Sequence, residues 1–232
     1  MDLNADAGEG GPDDAALFAA GITSVNAACG AHAGDDVTLA ATARLAVRHG
    51  VAFGAHPGYA DRAGFGRREI GLTATDIAAS VAGQLARARA AAEAAGAPLA
   101  HVKPHGALYH RLRIDAEAAA VFAAEVVKGV SGAAIYGPPD GALRAAAQAA
   151  GVGYVPEGFL DRGYQADGTL IPRGQLGAVL HDAAAVAEQA LRLAAEGRVR
   201  TLCAHGDGPE AARWVALARA ALEAAGLQVT AP

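Results

Sequence analysis

The sequence predicts a closed or nearly closed (β/α) barrel of about seven parallel strands. A short apolar run, a loop and an Ala-rich helical stretch recur along the chain. Strands that alternate with helices pair in parallel through crossover helices. No break in composition divides these units, so one domain over residues 1–232 is expected. A prior of ~150 residues per domain leaves room for one barrel or two small domains. An open doubly wound sheet is the alternative. Against it, Gly8-Glu9-Gly10-Gly11 after the first strand lacks the spacing of a dinucleotide-binding loop.

In chain order the strands are expected at Asp2–Asn4, Thr23–Asn26, Val51–Ala55, Leu99–Lys103, Ala133–Tyr136, Val152–Val155 and Arg200–Ala204. Leu227–Val229 reads as an eighth strand or a tail. Helices are expected at Val37–His49, Thr75–Ala95, Ala116–Lys128, Gly141–Ala149, Asp182–Ala195 and Pro209–Ala224, all rich in alanine, the best helix former. Thr75-Asp76 and Asp182 stand where N-caps belong. Gly96, Gly151, Gly197 and Gly226 follow helices, where a left-handed cap is expected. Two long non-helical stretches, His56–Leu72 and Glu157–Gly177, read as functional or lid-like loops.

Composition excludes several classes. The chain carries 19 basic and 24 acidic residues, a formal charge of −5, with no basic run. That is no footprint for nucleic acid or a membrane surface. No apolar run reaches the ~20 residues of a spanning helix. Met1-Asp2-Leu3-Asn4 does not open a signal peptide. Cys29 and Cys203 cannot make a disulfide scaffold and read as the reduced thiols of a cytoplasmic protein. Of the 19 basic side chains only Lys103 and Lys128 are lysines. A lysine in an arginine-using chain suggests chemistry that arginine cannot do, such as losing a proton when buried.

The informative pattern is where polar residues fall. The first strand runs into Asp6 and Glu9. The second runs into Asn26, Cys29 and His32, and the third into His56. The fourth carries His101, Lys103 and His105, the sixth ends at Glu157, and the seventh runs into His205 and Asp207. In a parallel barrel all these strand ends meet at one rim, where active sites lie. Residues two apart share a strand face, so Asp2, Asn4 and Asp6 point the same way, as do His101, Lys103 and His105. A single such histidine would be an ordinary hydrogen-bonded loop residue. Five of the eight histidines in or just after strands are harder to dismiss. His49, His110 and His181 lie in or near helices and read as structural.

The segments that carry these residues resemble the LamB/YcsF family. They are Asp2-Leu3-Asn4-Ala5-Asp6-Ala7-Gly8-Glu9, Asn26-Ala27-Ala28-Cys29-Gly30-Ala31-His32-Ala33-Gly34-Asp35, and Gly54-Ala55-His56-Pro57-Gly58-Tyr59. Gly64-Phe65-Gly66-Arg67-Arg68, Val102-Lys103-Pro104-His105-Gly106-Ala107-Leu108-Tyr109, Asp161-Arg162-Gly163-Tyr164 with Asp167-Gly168 and Pro172-Arg173, and His205-Gly206-Asp207 continue it. They follow in family order over residues 2 to 207. The chain departs from the pattern at Ala5, Ala7 and Ala31, where the family usually has Cys, Leu and Phe; the polar positions match.

The resemblance implies an irregular barrel like that of polysaccharide deacetylases. It implies 5-oxoproline as substrate, L-glutamate as product, and ATP, with magnesium, hydrolysed in an assembly with subunits B and C. No Gly-x4-Gly-Lys-Ser/Thr loop is present, so a partner is expected to handle much of the nucleotide. Within that frame Asp6 or Glu9 positions or deprotonates water. Lys103 and His105 stabilise charge developing on the carbonyl oxygen. Arg162 or Arg173 holds the substrate carboxylate, and His205 with Asp207 forms an acid–orienter pair. Asn26, His32 and His56 complete the expected substrate contacts. Two rivals stand beside this reading. One is a metal-dependent, deacetylase-like hydrolase with Asp6, His32 and His56 as ligands. The other is a non-catalytic component that only binds the lactam.

Overall fold

The structure, a computed structural model, describes residues 1–11, 13–206 and 208–232. Among them seven parallel strands close into a barrel in sequence order, with β1 pairing both β2 and β7. The strands are β1 (Asp2–Ala7), β2 (Ser24–Ala28), β3 (Ala52–His56), β4 (Leu99–Val102), β5 (Ala134–Gly137), β6 (Tyr154–Phe159) and β7 (Thr201–Ala204). The helices are α1 (Asp14–Ala19), α2 (Asp36–His49), α3 (Ala74–Ala95), α4 (Gly106–Ile114), α5 (Ala116–Gly129), α6 (Ala142–Ala149), α7 (Ala183–Glu196) and α8 (Ala211–Ala224). None is long and apolar enough to cross a membrane.

All seven expected strands form, and the expected helices form with small shifts at their ends. Thr73 rather than Thr75 caps α3, in a reciprocal box with Asp76, so the helix begins at Ala74, one residue earlier than read. Leu227–Val229 is a tail: the Met1 ammonium donates to Gln228 O at 2.6 Å and Thr230 N to Met1 O at 3.0 Å. Helices α1 and α4 are additional. Both are short, and α4 begins directly after the polar run that ends β4, which masks its apolar face of Leu108 and Leu112.

Strand alternation divides the barrel wall. Outward residues such as Leu3, Ala5, Val25, Phe53, Val102, Ile135 and Leu202 are buried under the helices. Trp214 of α8 belongs to this outer core, so it is no surface for a partner. Inward residues are mostly polar, unlike the branched apolar filling usual in (β/α) barrels. At the bottom the Asp2 carboxylate accepts from Thr23 (2.5 Å), Ser24 (2.8 Å) and Thr201 (2.5 Å). Above it Asn26 Nδ2 donates to Asn4 Oδ1 at 2.6 Å and to Asp6 Oδ1 at 2.9 Å. His101 Nε2 bonds Asn26 Oδ1 at 2.8 Å, and its ring stacks on Tyr136 with centroids 4.1 Å apart.

The His101 ring fits only because its neighbour in the β3–β4 pair is Gly54. A Cβ at Gly54 would sit 2.1 Å from His101 Nε2, inside van der Waals contact. Overpacking a filled core costs about 1–3 kcal/mol and occasionally more. Gly54→Ala is therefore expected to lose about 3 kcal/mol of stability in a urea titration. The loss should shrink in a His101→Ala background, where the ring is gone; equal losses in both backgrounds would show that the contact is not the cause.

Burial, then the Lys103 and His56 charges, lowers His101 from 6.5 to about 3. The unfolded chain therefore binds a proton at this site below pH 6.5 that the folded chain refuses until about pH 3. Stability carried by neutral His101 is present above pH 6.5 and declines as pH falls toward 3. Asp2 and Glu157, raised by burial, act in the opposite sense. His101→Asn is expected to remove about 1.4 kcal/mol per pH unit from the acid limb of the stability curve. An unchanged limb in denaturant titrations at stepped pH would contradict this.

Candidate active site

Above the His101 layer lies Lys103, just past β4 and 2 % exposed. Its ammonium donates to Asp6 Oδ1 at 2.8 Å, Glu157 Oε1 at 2.9 Å, Cys203 Sγ at 2.9 Å and Asn4 Oδ1 at 3.3 Å. Burial pulls the lysine pKa down, but Asp6 and Glu157 more than offset this and hold it well above its ordinary value. The expectation that a buried lysine would lose its proton is thus corrected: two carboxylates around one ammonium keep it charged. Burial also raises Asp6, yet His56 and Lys103 together hold it well below the usual carboxylate range. One cation cannot fully offset two anions, and Glu157, where burial leads, is shifted upward. Glu157 Oε2 is buried with no hydrogen-bond partner among the described residues.

Beside this network the ends of β1, β2, β3 and β4 bring Glu9, His32, His56 and His105 together. His32 Nε2 lies 3.0 Å from Glu9 Oε1, His105 Nδ1 3.3 Å and His56 Nε2 3.7 Å from the same oxygen. The His32 and His105 rings stack with centroids 3.8 Å apart. His56 Nδ1 bonds Lys103 O, and His105 Nε2 bonds Phe65 O, each at 2.8 Å. Phe65 has φ 55°, an uncommon conformation for a bulky residue, which aims its carbonyl at His105. One ligand atom from each of the four side chains falls within 4.8 Å of the others. Of the expected trio Asp6, His32 and His56, the two histidines belong to this group; Asp6 has Oδ1 held by Lys103 and Asn26 and Oδ2 3.4 Å from His56 Nε2.

A cavity of about 420 Å³ opens over both groups. Asp6, His56, Lys103, His105, Arg162, Arg173 and His205 line it, as do Arg67, Tyr109, His110 and Phe159. Its size lies within the range of small-molecule sites. Glu9, Asn26 and His32 are buried beneath it, where Asn26 holds Asp6 and His32 holds Glu9. Glu9 is surrounded by three imidazoles and is not placed to act on a water in the cavity. His105 gives its Nε2 proton to Phe65 O and turns Nδ1 toward His56, so it has no donor for a developing oxyanion.

His205 follows β7 and faces the cavity, stacked on Phe159 with centroids 5.1 Å apart. Its Nδ1 is 2.9 Å from both oxygens of Asp161. Burial raises Asp161, but His205 and Arg173 outweigh it and keep the carboxylate below its ordinary value. The orienting partner is therefore Asp161; the expected partner, Asp207, lies outside the described residues. Asp161 opens the long loop after β6, which folds back through bridges Arg162–Val179 and Tyr164–Leu170. Arg162 is pinned inside that loop, donating to Ala178 O at 2.8 Å and Ile171 O at 2.7 Å. Burial, then the neighbouring Arg173 guanidinium, lowers Arg162 to about 10. Two crowded guanidiniums at a cavity wall suit an anion.

Arg67, Tyr109 and Asp161 lie in the segments that resemble the family, but the sequence assigns them no role. His110 reads as structural because it lies on a helix, but α4 starts at the rim and turns this residue into the cavity. Tyr109 Oη is buried without a hydrogen-bond partner among the described residues.

The chain matches the model of the LamB/YcsF family over residues 1–232. It is 45% identical over 246 residues to the A subunit of 5-oxoprolinase from Streptomyces coelicolor, covering 99% of this chain and 98% of that one. It is 43% identical over 250 residues to the protein of the same name from Symbiobacterium thermophilum, covering 100% and 95%. Among solved structures, the lactam utilization protein from Thermus thermophilus superposes with a TM-score of 0.92 at 38% identity, covering 100% of this chain and 99% of that one. A closed parallel barrel, a polar rim built by distant strand ends, and a match along its whole length place this chain in the LamB/YcsF family.

Proposed function

We propose that this chain is the lactam-opening component of an ATP-dependent 5-oxoprolinase, converting 5-oxo-L-proline to L-glutamate. The observation that carries the reading is the cavity itself. One wall is cationic, from Arg67, Arg162 and Arg173; the floor holds a charged lysine; and an oriented imidazole faces both. That arrangement suits a small acid with a carbonyl to be attacked. The names of the relatives support the same substrate.

The lactam amide is stabilised by resonance, so its carbonyl is a poor electrophile. Phosphorylation of the amide oxygen by ATP would make it reactive, and the cationic wall suits the added phosphoryl charge. A five-membered ring fills only part of the cavity, leaving room for that group. This chain has no Gly-x4-Gly-Lys-Ser/Thr loop, so binding of ATP and its magnesium is assigned largely to partner subunits B and C.

Roles follow from how each side chain is held. Asp6 is a weak base, because Lys103 and His56 keep it ionised; it fixes Lys103 in place. Lys103 supplies positive charge beneath the carbonyl oxygen. His205, held by Asp161, takes a proton from the attacking water and returns it to the leaving ring nitrogen, which breaks the C–N bond and leaves an acyl phosphate that a second water hydrolyses to L-glutamate and phosphate. Arg173, with Arg67, holds the carboxylate or phosphate.

The test is glutamate release from 5-oxoproline with ATP, measured with and without the B and C subunits. Release by the assembly and none without this chain is expected; equal release without it would remove the reading. Lys103→Ala is expected to lower turnover by ~100–1,000-fold or more. Lys103→Arg should not restore it, since a planar guanidinium cannot replace a compact ammonium among four close partners. Asp161→Asn is expected to cost about 100-fold or more and to displace the pH profile of turnover, through the lost orientation of His205. A normal profile in that variant would remove His205 as the proton carrier.

A further inference from the structure

We propose that Glu9, His32, His56 and His105 bind one divalent cation of the zinc class beneath the cavity. The placement of ring protons points there. His56 Nδ1 faces the Lys103 carbonyl and His105 Nε2 faces the Phe65 carbonyl, each at 2.8 Å. A carbonyl oxygen only accepts, so both of these nitrogens carry the ring proton. The other nitrogens, His56 Nε2 and His105 Nδ1, then turn bare lone pairs toward each other at 3.0 Å. Glu9 Oε1, a further acceptor, lies 3.3 Å from His105 Nδ1 and 3.7 Å from His56 Nε2. His32 Nε2 reaches the same oxygen at 3.0 Å.

Acceptors that converge in a buried place need a positive charge between them. A proton can bridge one pair. A divalent cation satisfies all four at once. The spacing also fits. Tetrahedral zinc with bonds of ~2.0–2.1 Å places neighbouring ligand atoms about 3.3 Å apart. Four of the six separations within the cluster, 3.0, 3.0, 3.3 and 3.7 Å, bracket that value, and all six are within 4.8 Å. Three imidazoles and one carboxylate suit zinc, cobalt or nickel rather than magnesium or calcium, which take oxygen ligands. The backbone carbonyls that fix the tautomers of His56 and His105 are usual supports of such sites; His32 Nδ1 has no such partner among the described residues. Four protein ligands make a closed site, whose work is to hold the cavity floor in place.

The test uses the isolated full-length chain and needs neither lactam, ATP nor partner subunits. Its failure is therefore separate from failure of the lactam reading. Chain stripped with a chelator is titrated with Co2+ and followed by visible absorption, and Zn2+ then competes. The expected result is one equivalent of Co2+ with the intense bands of tetrahedral coordination, displaced by Zn2+. Glu9→Gln and His32→Ala should each weaken Co2+ binding by more than the ~10–100-fold typical of losing a supporting partner. His181→Ala, away from the cluster, should bind as the wild type does. No stoichiometric uptake by wild-type chain, or a weak octahedral spectrum, would overturn the proposal and leave a shared proton in the cluster. Equal affinity in the ligand variants would overturn it too. If those variants fail to fold, the wild-type spectrum alone decides.

Discussion

A fully buried ammonium is the constraint around which the upper barrel is arranged. Taking Lys103 out of water costs several kcal/mol unless partners surround it. Asp6, Glu157, Asn4 and the Cys203 sulfur do so, and they come from β1, β6 and β7. The charge therefore joins strands that are far apart in sequence. It also fixes neighbours in turn. Asp6 is held by Lys103 and Asn26, Asn26 accepts from His101, and His101 needs the empty space above Gly54. Replacing such a network with packed apolar residues is often neutral or stabilising. Its presence here is better explained by the site it holds than by any stability it adds.

Much of this arrangement is legible in the sequence. Alternation puts Asp2, Asn4 and Asp6 on one face, and His101 and Lys103 on another. The barrel turns both faces inward. The strand-end rule brings His32, His56, His105 and His205 toward one rim. What sequence does not resolve is depth. Asn26, Glu9 and His32 share the rim's chemistry but lie a layer below the cavity, because the strands around them are fully covered on both sides. Nor does it supply partners that arrive by loop folding. Asp161 reaches His205 because the segment after β6 doubles back through two bridges. Nothing in local periodicity encodes that return. The N-terminal turn of α4 is hidden for another reason: a histidine, a glycine and a short apolar face carry too little period to announce a helix.

Depth also explains how the polar groups divide their work. At the cavity floor Asp6 is bound to a lysine and an asparagine, and His105 gives its Nε2 proton to Phe65 O. His205, held by Asp161, stands at the cavity wall with Arg67 and Arg173. Tyr109 Oη and Glu157 Oε2 are buried without a hydrogen-bond partner among the described residues. Both side chains line a second cavity of about 160 Å³ that shares Tyr109, His110, Phe159 and Leu170 with the first. A buried acceptor left open costs about 1–3 kcal/mol. That cost falls on Glu157, which also has the weaker claim on Lys103, so its upward shift is the expected response of the network.

The same reasoning links the floor to the wall. His56 is shared by both: its Nε2 is 3.4 Å from Asp6 Oδ2 and 3.0 Å from His105 Nδ1. Its Nδ1 rests on the carbonyl of Lys103 itself. Any charge placed among Glu9, His32, His56 and His105 must therefore be felt by Asp6, and through Asp6 by the lysine beneath the cavity. The buried cluster and the cavity floor thus share one imidazole, that of His56.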